Sequence, residues 1–233
     1  MASILCIETA TEVCSIAISV DGKVVFEKEN REGPSHATQL GVFAEEALAW
    51  ARSNDLVLDA IAVSCGPGSY TGLRIGVSEA KGLCFGLNLP LIAVGTLELL
   101  ANGVVKRKLV SDGVLLCPMI DARRMEVYDG IFNKELDIVR HVNADIIDET
   151  SFACFLNTQQ VAFFGNGAAK CKDTLQHTNA IFIDDIYPKA SDMVELADAA
   201  FAAGDFEDVA YFEPFYLKEF VATIAKNKVL PVK

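Results

Sequence analysis

The sequence predicts an α/β protein of two duplicated lobes, each a mixed sheet flanked by helices. Three observations predict it. An apolar strand ending in a carboxylate occurs twice, at Ile4-Leu5-Cys6-Ile7-Glu8 and at Leu115-Leu116-Cys117-Pro118-Met119-Ile120-Asp121. Each copy is followed by a short polar connection and a second strand, starting at Val13 and Val127. A strand running into Gly-x-Gly then recurs, at residues 61–68 and 161–167. Features repeated in the same order outweigh any one motif, because each copy is a unit that cannot bury its apolar face alone.

The elements follow in order. Residues 4–7 are continuously apolar, as in a strand covered on both faces. After Thr9-Ala10-Thr11-Glu12, strict alternation of Cys14, Ile16, Ile18 and Val20 with Ser15, Ala17 and Ser19 marks the second strand. Asp21-Gly22 is a hairpin turn, and Val24-Val25-Phe26 continues the sheet. A helix capped by Ser35 carries Leu40, Phe43, Ala44, Ala47, Leu48 and Ala51 at helical spacing. A strand around Ile61-Ala62-Val63, a Gly-rich turn, a helix over 75–85 and a strand over 91–94 complete the first unit. In the second unit, Gly165-Asn166-Gly167 is expected to open another helix. Asn102-Gly103 and Lys106-Arg107-Lys108 interrupt the apolar pattern, which puts the boundary within residues 101–112. The lobes are then 1–107 and 108–208, with 209–233 able to return to the first lobe. Met193 to Ala203 reads as one more helix that can pack back in the same way. From Lys218 the tail is basic and poorly periodic, and is expected to be mobile in part.

Composition excludes several classes. Hydrophobic residues make up 52%, yet no apolar run reaches the length of a bilayer span. The start, Met-Ala-Ser-Ile-Leu-Cys-Ile-Glu, has no basic region and reads as a strand rather than a signal peptide. Seven cysteines with no Cys-x-x-Cys spacing, most inside apolar runs, fit a reducing, cytoplasmic setting and argue against a zinc site or disulfide scaffold. A net charge of −12 argues against a protein that grips nucleic acid by itself, so a partner would hold most of any RNA; a local basic patch stays open.

Gly66-Pro67-Gly68-Ser69-Tyr70-Thr71-Gly72-Leu73-Arg74-Ile75-Gly76 is the densest signal. A glycine turn before a helix can cradle phosphate with exposed N–H groups. This one matches neither the P-loop nor the dinucleotide fingerprint. Its glycines can instead serve as absent side chains. Gly72, Gly76, Ala80 and Cys84 stand four residues apart, a small-residue stripe that lets another helix come close. That helix belongs either to this chain, starting at Ser35, or to another subunit.

Glu8 and Asp121 stand where two-lobed Mg-ATP enzymes place carboxylates, but their loops hold no glycine to wrap a phosphate. The alternative has both acids satisfying turn backbone or pairing with Arg123 or Arg124. His36, His141 and His177 have no partner four residues away, Cys65 has no companion histidine, and Ser69 lies outside any Gly-x-Ser-x-Gly.

The residues 66–76, Ala80-Lys81-Gly82-Leu83, Ile120-Asp121-Ala122-Arg123-Arg124-Met125-Glu126-Val127-Tyr128, Ser35-His36 and Pro214-Phe215-Tyr216-Leu217 resemble the TsaB family of tRNA threonylcarbamoyladenosine biosynthesis subunits over nearly the whole chain. Tyr70 replaces a family Phe, Glu8 a more usual Asp and Ala10 a Ser, which weakens any ligand role for the first-lobe loop. The resemblance implies an actin-like (ASKHA, RNase H-like) fold and a non-catalytic partner subunit. Such a subunit pairs with the paralogue TsaD, whose His-x-x-x-His helix binds iron or zinc. Thr96 and Leu100 occupy the two histidine places here, and neither can ligate a metal. ATP and metal are thus expected on partner subunits, with a TsaE-like ATPase joining the pair, tRNA reached mainly through the complex, and a homodimer possible when the chain is alone. The resemblance also sends the small-residue stripe to the partner, through Leu40, Phe43, Ala47, Gly72, Leu73, Ile75, Gly76 and Ala80. A free-standing ATP-dependent phosphotransferase and a peptidase are the competing readings.

Overall fold

The structure, a computed structural model, describes residues 2–31 and 36–218. The Ser35 cap and the reading of the tail beyond Lys218 lie outside these residues. The first sheet contains β1 (Ser3–Glu8), β2 (Cys14–Val20), β3 (Lys23–Asn30), β4 (Ala60–Gly66) and β5 (Leu91–Gly95), in the order β3-β2-β1-β4-β5. The second contains β6 (Leu115–Asp121), β7 (Glu126–Phe132), β8 (Ile138–Ile146), β9 (Val161–Phe164) and β10 (Ala180–Ile183). Read from β8, its order β8-β7-β6-β9-β10 repeats the first. In each sheet three strands form an antiparallel meander and two more run parallel to the central strand. The duplication is therefore topological, and β6 places Asp121 where β1 places Glu8.

Local chemistry explains the first unit. Asp21 and Gly22 both take positive φ, 51° and 74°, as a two-residue mirror-type hairpin requires. Alternation by itself argues for a half-covered strand, yet β2 is buried from Cys14 to Ser19. Its Cys14, Ile16 and Ile18 meet α1 (His36–Ser53) through Leu40, Phe43 and Ala47, while Ala17 meets Ala190, Met193 and Val194 on the other face. The helix after the glycine-rich turn, α2 (Tyr70–Leu87), is longer at both ends than its apolar spacing predicts. Ser69 Oγ accepts the Gly72 N–H at its start, and Asn88 in a left-handed conformation donates to Cys84 at its end.

Asn102-Gly103 does not interrupt the pattern. Both lie inside α3 (Thr96–Lys106), where Asn102 Nδ2 donates to the Asp192 carbonyl at 2.7 Å. A side chain at Gly103 would come within 2.7 Å of the Asp192 carboxylate. The pair is a docking point for the returning chain. α3 also joins the lobes, with Leu97, Leu100 and Val104 in the second sheet's core and Leu99 in the first's.

The return to the first lobe begins at Ala190, ahead of residue 209 and just before the helix expected over Met193 to Ala203. Ala190 N–H donates to Ser15 Oγ at 3.0 Å, and α5 (Val194–Ala203) packs on β1 and β5. Glu207 N–H then bonds Leu91 and Phe215 N–H bonds Cys65, at 2.9 and 2.7 Å.

Gly165-Asn166-Gly167 leads not into a helix but into a single 3-10 turn, Ala169–Cys171. Only Ala168, Cys171 and Leu175 of that connection face the core, too few to anchor a longer helix. The remaining helix, α4 (Ala153–Leu156), is one turn.

Candidate functional site at the inter-lobe cleft

The two repeated Gly-x-Gly turns meet at the carboxyl ends of β1 and β6, around a cleft of about 440 Å³. Ala10, Thr11, His36, Ser69 and Ile75 line it from the first lobe, and Ile120, Asp121 and Asn166 from the second. Asn166 ties the lobes together: its Oδ1 accepts the Asp121 N–H at 3.0 Å and its Nδ2 donates to Glu12 Oε2 at 2.8 Å.

In the first lobe the glycines bring α2 onto the β1–β2 loop. A Cβ on Gly68 would stand 2.5 Å from the Ala10 carbonyl oxygen, and one on Gly72 only 2.1 Å from that of Thr9. At Gly76 it would meet Thr9 Oγ1 at 2.2 Å. Ser69 N–H donates to the Ala10 carbonyl at 2.7 Å, and the Thr9 hydroxyl donates to Gly72 at 2.8 Å. The Ser69 and Gly72 amides are thus spent on the loop and on Ser69 Oγ, instead of facing an anion.

This geometry corrects the sequence assignment of the stripe. Gly72, Gly76, Ala80 and Cys84 are all buried in the chain's own first lobe, against β1, its following loop and the core. Leu40, Phe43, Ala47 and Leu73 are buried with them, so none of these is surface that a partner could touch. Of the proposed interface only Ile75 is part-exposed. It lies in an open groove between α1 and α2 with Ala37, Thr71, Arg74 and Ser78.

The two strand-end acids differ. Glu8 is fully buried beneath the cleft floor, where burial pushes its carboxyl from 4.5 up to about 7. One of its oxygens accepts the Ala10 N–H. The Ser64 hydroxyl beside it pulls the value down, though neither Ser64 Oγ nor Glu8 Oε2 makes a well-formed hydrogen bond. Asp121 is exposed in the cleft, accepts the Arg123 N–H at 3.0 Å and pairs with Lys170. Its partner is therefore a lysine from the β9–β10 connection, not the Arg123 or Arg124 side chain.

The other candidates settle into structure. Burial pushes the Cys65 thiol up to about 12, which leaves it unreactive at neutral pH. His36 Nε2 lies 2.6 Å from the Thr11 carbonyl oxygen, and His177 Nδ1 accepts the Asn179 N–H. Thr96 Oγ1 accepts the Gly66 N–H at 3.2 Å, and Leu100 packs with Ile120 and Phe164. Sequence reasoning missed Thr9, Asn166 and Lys170. The repeated Gly-x-Gly was the one signal for Asn166, whereas Lys170 looked like any surface lysine.

Comparison with known proteins now bears on this architecture. The family model described as TsaD, tRNA N6-adenosine threonylcarbamoyltransferase, matches residues 30–226. The tRNA threonylcarbamoyladenosine biosynthesis protein TsaB of Escherichia coli K12 is 32% identical, over 94% of this chain and 96% of that one. The Bacillus subtilis TsaB is 35% identical, over 61% of this chain and 60% of its own length. Among solved structures, YeaZ from Pseudomonas aeruginosa superposes with a TM-score of 0.80 at 26% identity, covering 93% of this chain and 100% of that one. Among the described residues no helix is long and apolar enough to cross a membrane. With a duplicated strand order of the actin-like (ASKHA) type and a relative matched almost end to end, the chain belongs to the TsaB family of tRNA threonylcarbamoyladenosine biosynthesis proteins.

Proposed function

We propose that the chain is a non-catalytic partner subunit for the threonylcarbamoyladenosine modification of tRNA, working in the cytoplasm by pairing with a TsaD-type paralogue. The observation that carries this reading is the closed first-lobe turn. Its glycines admit the Thr9-Ala10 loop, and its Ser69 and Gly72 amides are bonded to that loop and to Ser69 Oγ. A phosphate-transferring enzyme of this architecture needs those groups free for an anion. Thr96 and Leu100, at the places where the paralogue carries its histidines, are buried and spent on Gly66 and the core. ATP and metal then belong to the partner subunits, including a TsaE-type ATPase, and tRNA is held mainly by the complex.

Pairing runs through the outer groove of α1 and α2, not the inner stripe. That groove is lined by Ala37, Thr71 and Ser78, small residues that let a helix approach closely. A partner fixed there can bias lobe closure in the paralogue by binding one arrangement better than another.

Reconstitution with tRNA, threonine, bicarbonate, ATP and the partner proteins, one protein omitted at a time, tests this reading. We expect modified adenosine only when this chain and the metal-binding paralogue are both present. Product formed without the paralogue would overturn the scaffold assignment. Full repeated turnover without this chain would overturn the requirement for it. The free-standing phosphotransferase reading predicts ATP turnover by the purified chain alone.

A further inference from the structure

We propose that the tip of the β6–β7 hairpin, carrying Arg123 and Arg124, contacts the phosphodiester backbone of the RNA substrate. This deepens the function proposed above and rests on it. The hairpin closes tightly, with Glu126 N–H on the Arg123 carbonyl at 3.1 Å and Arg123 N–H on Asp121 Oδ1 at 3.0 Å. Both arginines take left-handed backbone, φ 74° and 54°. Non-glycine residues visit that region rarely, and Asn or Gly would close such a turn at lower cost. Two adjacent arginines there weaken the turn locally. Backbone strain that the fold does not need is a pointer to function.

The fold draws little from the side chains in exchange. Both arginines are exposed, and among the described residues neither guanidinium makes a hydrogen bond or ion pair. The acids flanking them are already neutralised. Lys170 pairs with Asp121 and also donates to the Glu126 carbonyl, while Lys218 pairs with the Glu126 carboxylate. The tip thus presents uncompensated positive charge in a chain whose net charge is −12. Guanidinium forks suit phosphate oxygens, and a run of phosphodiesters is the partner that rewards two adjacent forks.

Position agrees with this. Asp121, at the base of the hairpin, lines the cleft together with Ala37, Thr71 and Ile75, which also border the groove between α1 and α2. A protein docked in that groove therefore adjoins the cleft that the base of the hairpin lines. The overall negative charge repels free RNA, so the contact operates within the assembled complex.

The test measures binding of an unmodified tRNA transcript to the complex of this chain with its partner proteins, across a series of salt concentrations. The Arg123→Asn, Arg124→Gly double variant removes both charges and supplies residues that fit the turn, so folding is preserved. Arg123→Lys with Arg124→Lys restores the charge. We expect the uncharged variant to assemble normally, bind tRNA on the order of 10-fold more weakly, and lose about two from the magnitude of the log–log salt slope. The lysine variant should recover most of that slope. An unchanged slope in the uncharged variant, with wild-type complex binding tRNA, would overturn the hairpin contact and leave the proposed function standing. Failure of the variant to assemble would also overturn it, by assigning the hairpin to a protein partner. Wild-type complex that binds no tRNA would bring down the function itself, and the hairpin contact with it.

Discussion

The first lobe carries two helices of 18 residues each, whereas the second has only a 4-residue helix and a 3-residue 3-10 turn within its own strand repeat and takes the rest of its cover from the joining helix α3. The strand-end acids diverge in parallel. Glu8 is sealed in the first lobe with no cation paired to it among the described residues, while Asp121 stands exposed beside Lys170. The two lobes therefore share a sheet topology and differ in the helices and acids around it. In the first lobe both long helices bury an inner face in the core and leave an outer groove between them. The second shares α3 with the first and carries a basic hairpin tip.

The largest test of that contrast is electrostatic. The unfolded chain ionises Glu8 from about pH 4.5 upward, whereas the fold holds the proton until about pH 7. Its contribution to stability is therefore fully present below pH 4.5 and is lost as pH rises to about 7. Glu8→Gln removes this loss. Urea melts should find the variant gaining up to about 3 kcal/mol on wild type between about pH 4.5 and pH 8. Asp121→Asn, which loses only an exposed ion pair, should stay within about 1 kcal/mol of wild type. Equal behaviour of the two variants would erase the contrast between the acids.

A second pair of changes separates the two faces of α2. Gly72→Ala forces a methyl to within 2.1 Å of the Thr9 carbonyl oxygen. It should lower stability by about 2–3 kcal/mol. Gly82 has nothing within 4 Å of its missing Cβ, so Gly82→Ala should stabilise the isolated chain by about 0.5–1 kcal/mol. A tolerated Gly72→Ala would mean that the inner face is looser than its contacts indicate.

Much of this was legible in sequence. The duplicated strands, the Asp21-Gly22 hairpin and both long helices of the first lobe follow from periodicity and turn chemistry. The small-residue stripe was legible as close packing, but not its direction. Four-residue spacing says that something approaches Gly72 and Gly76; it cannot say that a loop 63 residues upstream of Gly72 does so through Thr9. Asn102-Gly103 misled for a related reason: a polar residue and a glycine in a helix look like a break until Asp192, 90 residues after Asn102, docks on them. At the site, Asp121 was visible as a strand-end acid, while its partner Lys170 was set by the fold of a distant connection.

The claim that organises all of this is that the first lobe's outer helical face is the docking platform. Ala37→Arg with Ser78→Arg fills the α1–α2 groove from both sides and touches none of the buried stripe. Native masses of wild type and variant, each mixed with the cognate TsaD-type protein, test the claim directly, with melting of each chain alone as the control for folding. The account predicts a heterodimer for wild type and separate chains for the variant, at unchanged melting temperature. A variant that still forms the heterodimer would contradict it.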